Sequence, residues 1–144
     1  MPSAISPKSM ALTFAAGFLA VIVFHQGLVA ALNAMNAVPA GFPAWSLDPV
    51  PPLGVPAVIS EAFWGGIWGI GLGLLLAGRQ GAAYWLGWTL LGAIALPLVA
   101  IFVVPPLKGV PIPDFLSRFP LYALVNAAWG LGTAVFLKMF KCCG

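Results

Sequence analysis

From Ala82 to Val104 the chain runs without a charged residue, and three further segments come close to the same condition. Met10 to Leu32 is interrupted only by His25 and Gln26, Ile59 to Gly78 carries Glu61 near its start, and Pro120 to Phe140 holds Asn126 before Lys138. A helix needs about 20 predominantly apolar residues to cross a hydrocarbon core of about 30 Å, and each run supplies them. None alternates with period two, as strands of a membrane barrel would. Each is apolar all round, the pattern of a helix with lipid on one face and protein on the other. A water-facing surface is excluded by the same count: 6% of the 144 residues are charged, against about 25% in soluble domains. The sequence predicts an all-α polytopic membrane protein. It reads as a single integral membrane domain over residues 1–144, a bundle of four transmembrane helices near 10–32, 59–78, 82–104 and 120–140.

The basic residues orient this bundle. Lys8, Arg79, Lys138 and Lys141 fall on one side and Lys108 and Arg118 on the other, so the positive-inside rule puts both termini in the cytoplasm of a bacterial inner membrane. The first span exceeds the about 7–15 residues of a signal h-region and reads as a retained anchor. Gly78-Arg79-Gln80-Gly81 forms the tight cytoplasmic turn between helices 2 and 3. The outer loops, 33–58 and 105–119, are rich in proline and are expected to hold no helix. They also carry Phe42, Trp45, Leu53, Val55, Phe115 and Leu116, too apolar for solvated linkers, and are expected to pack on the headgroup zone or on each other. Six scattered cations make no nucleic-acid face; their expected partner is anionic membrane lipid.

Helix 2 contains Trp68-Gly69-Ile70-Gly71 and helix 4 contains Trp129-Gly130-Leu131-Gly132, each after an apolar span and a Pro-rich loop. The chain therefore reads as two repeated helical hairpins related by an axis along the membrane normal. Phe24-His25-Gln26, Val55-Pro56-Ala57-Val58-Ile59-Ser60, Phe63-Trp64-Gly65-Gly66, Pro106-Leu107-Lys108-Gly109 and Asn126-Ala127-Ala128-Trp129-Gly130 together resemble a group of small proteobacterial inner-membrane proteins without assigned activity. That resemblance implies no substrate, cofactor or catalytic residue.

Gly65, Gly69 and Gly73 share one helix face, and Asn126, Gly130 and Ala134 repeat the spacing, so helices 2 and 4, or two protomers, are expected to meet there. Ser60 and Glu61 suit the N-terminus of helix 2, as cap and as a charge favoured by the helix dipole. His25, Pro97 and Asn126 all fall about 10 Å from the outer ends of their helices at 1.5 Å per residue. A kink at Pro97 would open a cavity at that level. An outward-facing polar pocket lined by His25, Glu61 and Asn126, walled by Trp64, Trp68 and Trp129, is the ligand site this reading predicts, with His25 and Glu61 within reach directly or through water. One histidine cannot supply two haem ligands, and the adjacent Cys142 and Cys143, at a reducing cytoplasmic end, are expected as thiols without a metal. No cofactor and no catalytic residue emerges. The leading reading is a non-enzymatic structural or assembly subunit, a homo-oligomer or part of a larger membrane complex. The alternative is a transporter or channel for a proton, small cation or amphipathic solute, and an enzyme acting on a lipid-like substrate ranks last.

Overall fold

The computed structural model describes residues 6–39 and 42–142, and its four long helices are each apolar enough to span a membrane. The first span is composite: α1 (Pro7–Ala20), a π turn (Val21–His25) and α2 (Gln26–Ala34). The others are α3 (Ala57–Leu75), α4 (Gly81–Phe102) extended by a short α5 (Val104–Leu107), and α6 (Phe115–Met139). A two-stranded antiparallel ribbon, β1 (Pro49–Val50) with β2 (Val55–Pro56), pairs Pro49 with Pro56 and Val50 with Val55 in the first long loop. The fold class read from the sequence is the one observed.

Local chemistry explains where the helix ends depart from the sequence reading. Ser6 caps α1 by accepting the Ser9 amide at 3.1 Å, with Pro7 in the first turn, where its missing N–H costs nothing. Asp114 caps α6, its carboxylate accepting the Ser117 amide at 2.9 Å, so the helix starts five residues before Pro120 and carries that proline inside. The second loop also holds a helical turn, α5, contrary to the expectation for a proline-rich stretch. Pro105 and Pro106 follow Val104 within its single turn, where proline is tolerated. Helix α3 begins at Ala57 directly after Pro56, so Ser60 is not its cap and Glu61 lies beyond its first turn. Cys142 is disulfide-bonded rather than a thiol; Cys143, the other cysteine, lies outside the described residues.

Helix α3 packs on α1, α1 on α6 and α6 on α4. The glycine stripe of α3 thus packs on α1, with only Gly65 also reaching α6, at the Trp129 indole, which corrects the expected close approach of helices 2 and 4. A Cβ on Gly69 would lie 2.8 Å from the Thr13 carbonyl oxygen, one on Gly73 would meet the Thr13 side chain, and one on Gly17 would overlap the Gly65 carbonyl. Only backbones without side chains approach this closely. The α4–α6 pair uses the same device. A Cβ on Gly92 would lie 2.7 Å from the Asn126 carbonyl oxygen, and one on Gly130 would overlap that of Trp88. Gly65 and Gly69 correspond to Asn126 and Gly130 in the W-G-x-G alignment, and Thr13 and Gly17 share the spacing of Trp88 and Gly92. The two hairpins therefore close on equivalent positions, and the first helices, which show no sequence match, meet in this spacing.

Trp129 ties the hairpins together. Fully buried, it donates its indole N–H to the Gly17 carbonyl at 3.0 Å and crosses Trp88 edge-on at 6.5 Å. The core around it draws Ala16, Ala20, Val21, Ala62, Leu72, Tyr84, Trp88, Ala134 and Leu137 from all four spans. The Tyr84 hydroxyl donates to the Ala134 carbonyl at 2.7 Å inside this core. Tyr84→Phe is expected to lower stability by about 0.5–1.5 kcal/mol, the worth of one such bond, as read by thermal unfolding in detergent.

Candidate functional site

Buried positions of the first span fall at Thr13, Ala16, Gly17, Ala20 and Val21, then at Gln26, Val29 and Leu32. A continuous α-helix repeating every 3.6 residues would place the second set about one residue earlier. The π turn absorbs that residue: the Gln26 amide bonds to the carbonyl of Val21, five residues back. Gln26 is thereby turned inward, with only 3% of its surface exposed.

Its side chain is the hub of the loop end. The amide nitrogen Nε2 donates to the Glu61 carboxylate on α3 and lies 3.4 Å from His25 Nδ1. The amide oxygen Oε1 accepts the backbone N–H of Trp45 at 2.8 Å. An amide nitrogen only donates, so at this contact the imidazole accepts at Nδ1. Trp45 in turn donates its indole N–H to the Ile22 carbonyl at 2.8 Å, within the π turn where regular i+4 pairing is interrupted. Asn33 holds the same loop by donating to the Phe42 carbonyl at 2.9 Å. Phe42 packs with Val29, Leu32 and Val125 and stacks on Tyr122. The first Pro-rich loop therefore folds back over the bundle, held by hydrogen bonds at Trp45 and Phe42 and by an aromatic contact.

Between loop and helices lies a half-open cavity of about 330 Å³, lined by His25, Gln26, Val29, Phe42, Pro43, Ser46, Asp48, Ala57 and Glu61. Ligand sites of small-molecule proteins span about 300–1,000 Å³, so this one admits a small ligand. Of the residues singled out from the sequence, His25 and Glu61 meet here, joined through Gln26 and not to each other. Asn126 does not reach the cavity; its side chain donates to the Tyr122 carbonyl one turn back, at 2.8 Å. Trp129 is spent in the core, Trp68 packs at the core's edge, and Trp64 is 57% exposed on the outer surface of α3. Pro97 is buried in α4, which contributes nothing to the lining.

Sequence reasoning missed Ser46 and Asp48, took Trp45 only as an apolar loop residue, and saw in Gln26 only an interruption of the first span. Gln26 could have been found as a side-chain amide inside an apolar span beside the histidine, and Asp48 as the lone carboxylate of its loop. Below the cavity, Val21, Ala62, Gly65 and Trp129 fill the bundle. Compared with known proteins, the chain matches no family model, no curated protein and no solved structure.

Proposed function

We propose that this small membrane protein works by binding a small solute in the cavity at the loop end of its bundle, facing the outside of a bacterial inner membrane, and that it is not an enzyme. The observation that supports this most is the buried Gln26, whose amide holds two helices and the covering loop around a polar cavity. A buried amide with both ends satisfied is costly to assemble and defines one arrangement of its neighbours. The chain's close-packing glycines, Gly17, Gly65, Gly69, Gly92 and Gly130, meet the chain itself. An assembly role resting on glycine faces thereby loses its main support. With apolar side chains filling the bundle beneath the cavity, a single chain offers a binding site more readily than a channel.

His25 is the one histidine of the chain, so its imidazole resonance reports on the cavity without assignment. In nanodiscs, a mixture of small water-soluble solutes is expected to shift that resonance saturably, and Ala57→Phe, which fills the cavity, is expected to abolish the shift. A resonance that no solute moves, in a protein that co-purifies stoichiometrically with another membrane protein, returns the assembly reading. Orientation has its own check in cells, in a background without Cys142 and Cys143. An impermeant maleimide should label Ser46→Cys in intact cells and Gln80→Cys only after the membrane is opened.

A further inference from the structure

The cavity's lining carries two carboxylates, Asp48 and Glu61, and no lysine or arginine. Among the described residues neither carboxylate forms an ion pair. Gln26 takes the Oε2 oxygen of Glu61, which leaves Oε1 free to accept from whatever enters. The remaining wall is carbon: Val29, Phe42, Pro43 and Ala57.

Resting on the solute-binding reading, we infer that the ligand is a small organic cation, a protonated primary amine on a short apolar body. Its ammonium sits between the Glu61 and Asp48 carboxylates and its alkyl part against Phe42 and Val29. A charged N–H donor on a carboxylate makes a hydrogen bond roughly twice as strong as a neutral one. An anion would meet two carboxylates with no lysine or arginine in the lining to offset them. Among the described residues no group of three His, Cys, Asp or Glu is placed to hold a metal.

The test uses n-butylammonium, n-butanol and butyrate, three probes of similar size and different charge, titrated against the His25 imidazole resonance in phosphatidylcholine nanodiscs. Butylammonium is expected to shift it saturably while butanol and butyrate do not. Glu61→Gln, which keeps an oxygen for Gln26 to bond, is expected to weaken butylammonium at least about tenfold, the worth of one charge-assisted contact. Asp48→Asn, on the exposed loop and outside the Gln26 hydrogen bonds, gives the same direction should Glu61→Gln fail to fold. Butanol or butyrate binding as tightly as the amine would overturn the charge assignment and leave the solute-binding reading standing. If none of the three binds, this inference is overturned, and the solute-binding reading falls only if the solute mixture also fails. Discs containing phosphatidylethanolamine separate the two sources of an ammonium. A His25 shift already present there, with butylammonium no longer adding to it, identifies a lipid headgroup, whereas an unchanged titration identifies a free amine.

Discussion

Gly130→Leu is expected to be the most damaging single substitution in the chain. The new Cβ would fall on the Trp88 carbonyl, with the Thr89 Cα also in reach. These are backbone atoms in the middle of a helix and cannot turn aside as a side chain can. Helices α4 and α6 must separate, losing dispersion along their whole contact. Overpacking usually costs about 1–3 kcal/mol, and a clash with immovable backbone belongs at or above about 3 kcal/mol. Gly17→Leu meets a comparable backbone obstacle, the Gly65 carbonyl, and is expected to match it. Leu74→Ala, on a side chain 53% exposed, should change stability by less than about 0.5 kcal/mol. Thermal unfolding in detergent ranks the three; a Gly130→Leu protein as stable as the wild type would show that α4 and α6 do not touch there.

Gln26→Leu is expected to rank next, with a different signature. Leucine keeps the bulk but withdraws the partner of the Trp45 N–H, of Glu61 and of His25 at once. A buried polar group left unpaired costs about 1–3 kcal/mol. Glu61 faces the cavity and recovers part of its loss from water, so a total of about 2–4 kcal/mol is expected. The bundle core lies below and should persist, while the loop loses its anchor. Hydrogen exchange at the Trp45 amide should accelerate by two orders of magnitude or more, whereas amides of α4 keep their protection. Exchange at Trp45 that stays slow would mean that the Trp45 indole bond to Ile22, with Phe42 and Asn33, holds the loop without Gln26.

The architecture was open to reading because its causes are additive along the sequence: length, absence of charge and absence of period two need no knowledge of partners. The pairing of helices was not. Gly65, Gly69 and Gly73 announce a close contact, but a stripe of glycines carries no label for what lies opposite. The answer depended on Thr13 and Gly17, whose spacing becomes meaningful only beside Trp88 and Gly92. The site was half visible for a related reason. His25 and Glu61 stand out chemically and do meet in one cavity. Depth counting also drew in Asn126 and the tryptophans, because equal depth does not fix the face on which a side chain lies. Facing was decided by the π turn, and no residue in Val21–His25 signals one.

The order of close contacts bears on how the chain can be built. Backbone meets backbone within each hairpin, α1 with α3 and α4 with α6. No substantial packing is made between α3 and α4, the helices joined by the shortest turn. Chains emerge from the ribosome N-terminal end first. The first three elements of the opening span, its covering loop and α3 can therefore settle their glycine contacts, and the Gln26 hydrogen bonds with them, while the second hairpin is still being synthesised. What they lack at that moment is the Trp129 indole, which leaves the Gly17 carbonyl without its cross-hairpin donor until the last helix arrives. Assembly in the membrane is thus divided into two halves that close on their own glycine contacts and a later docking of α6 on the first span and its loop, through Trp129 and the Tyr122–Phe42 contact.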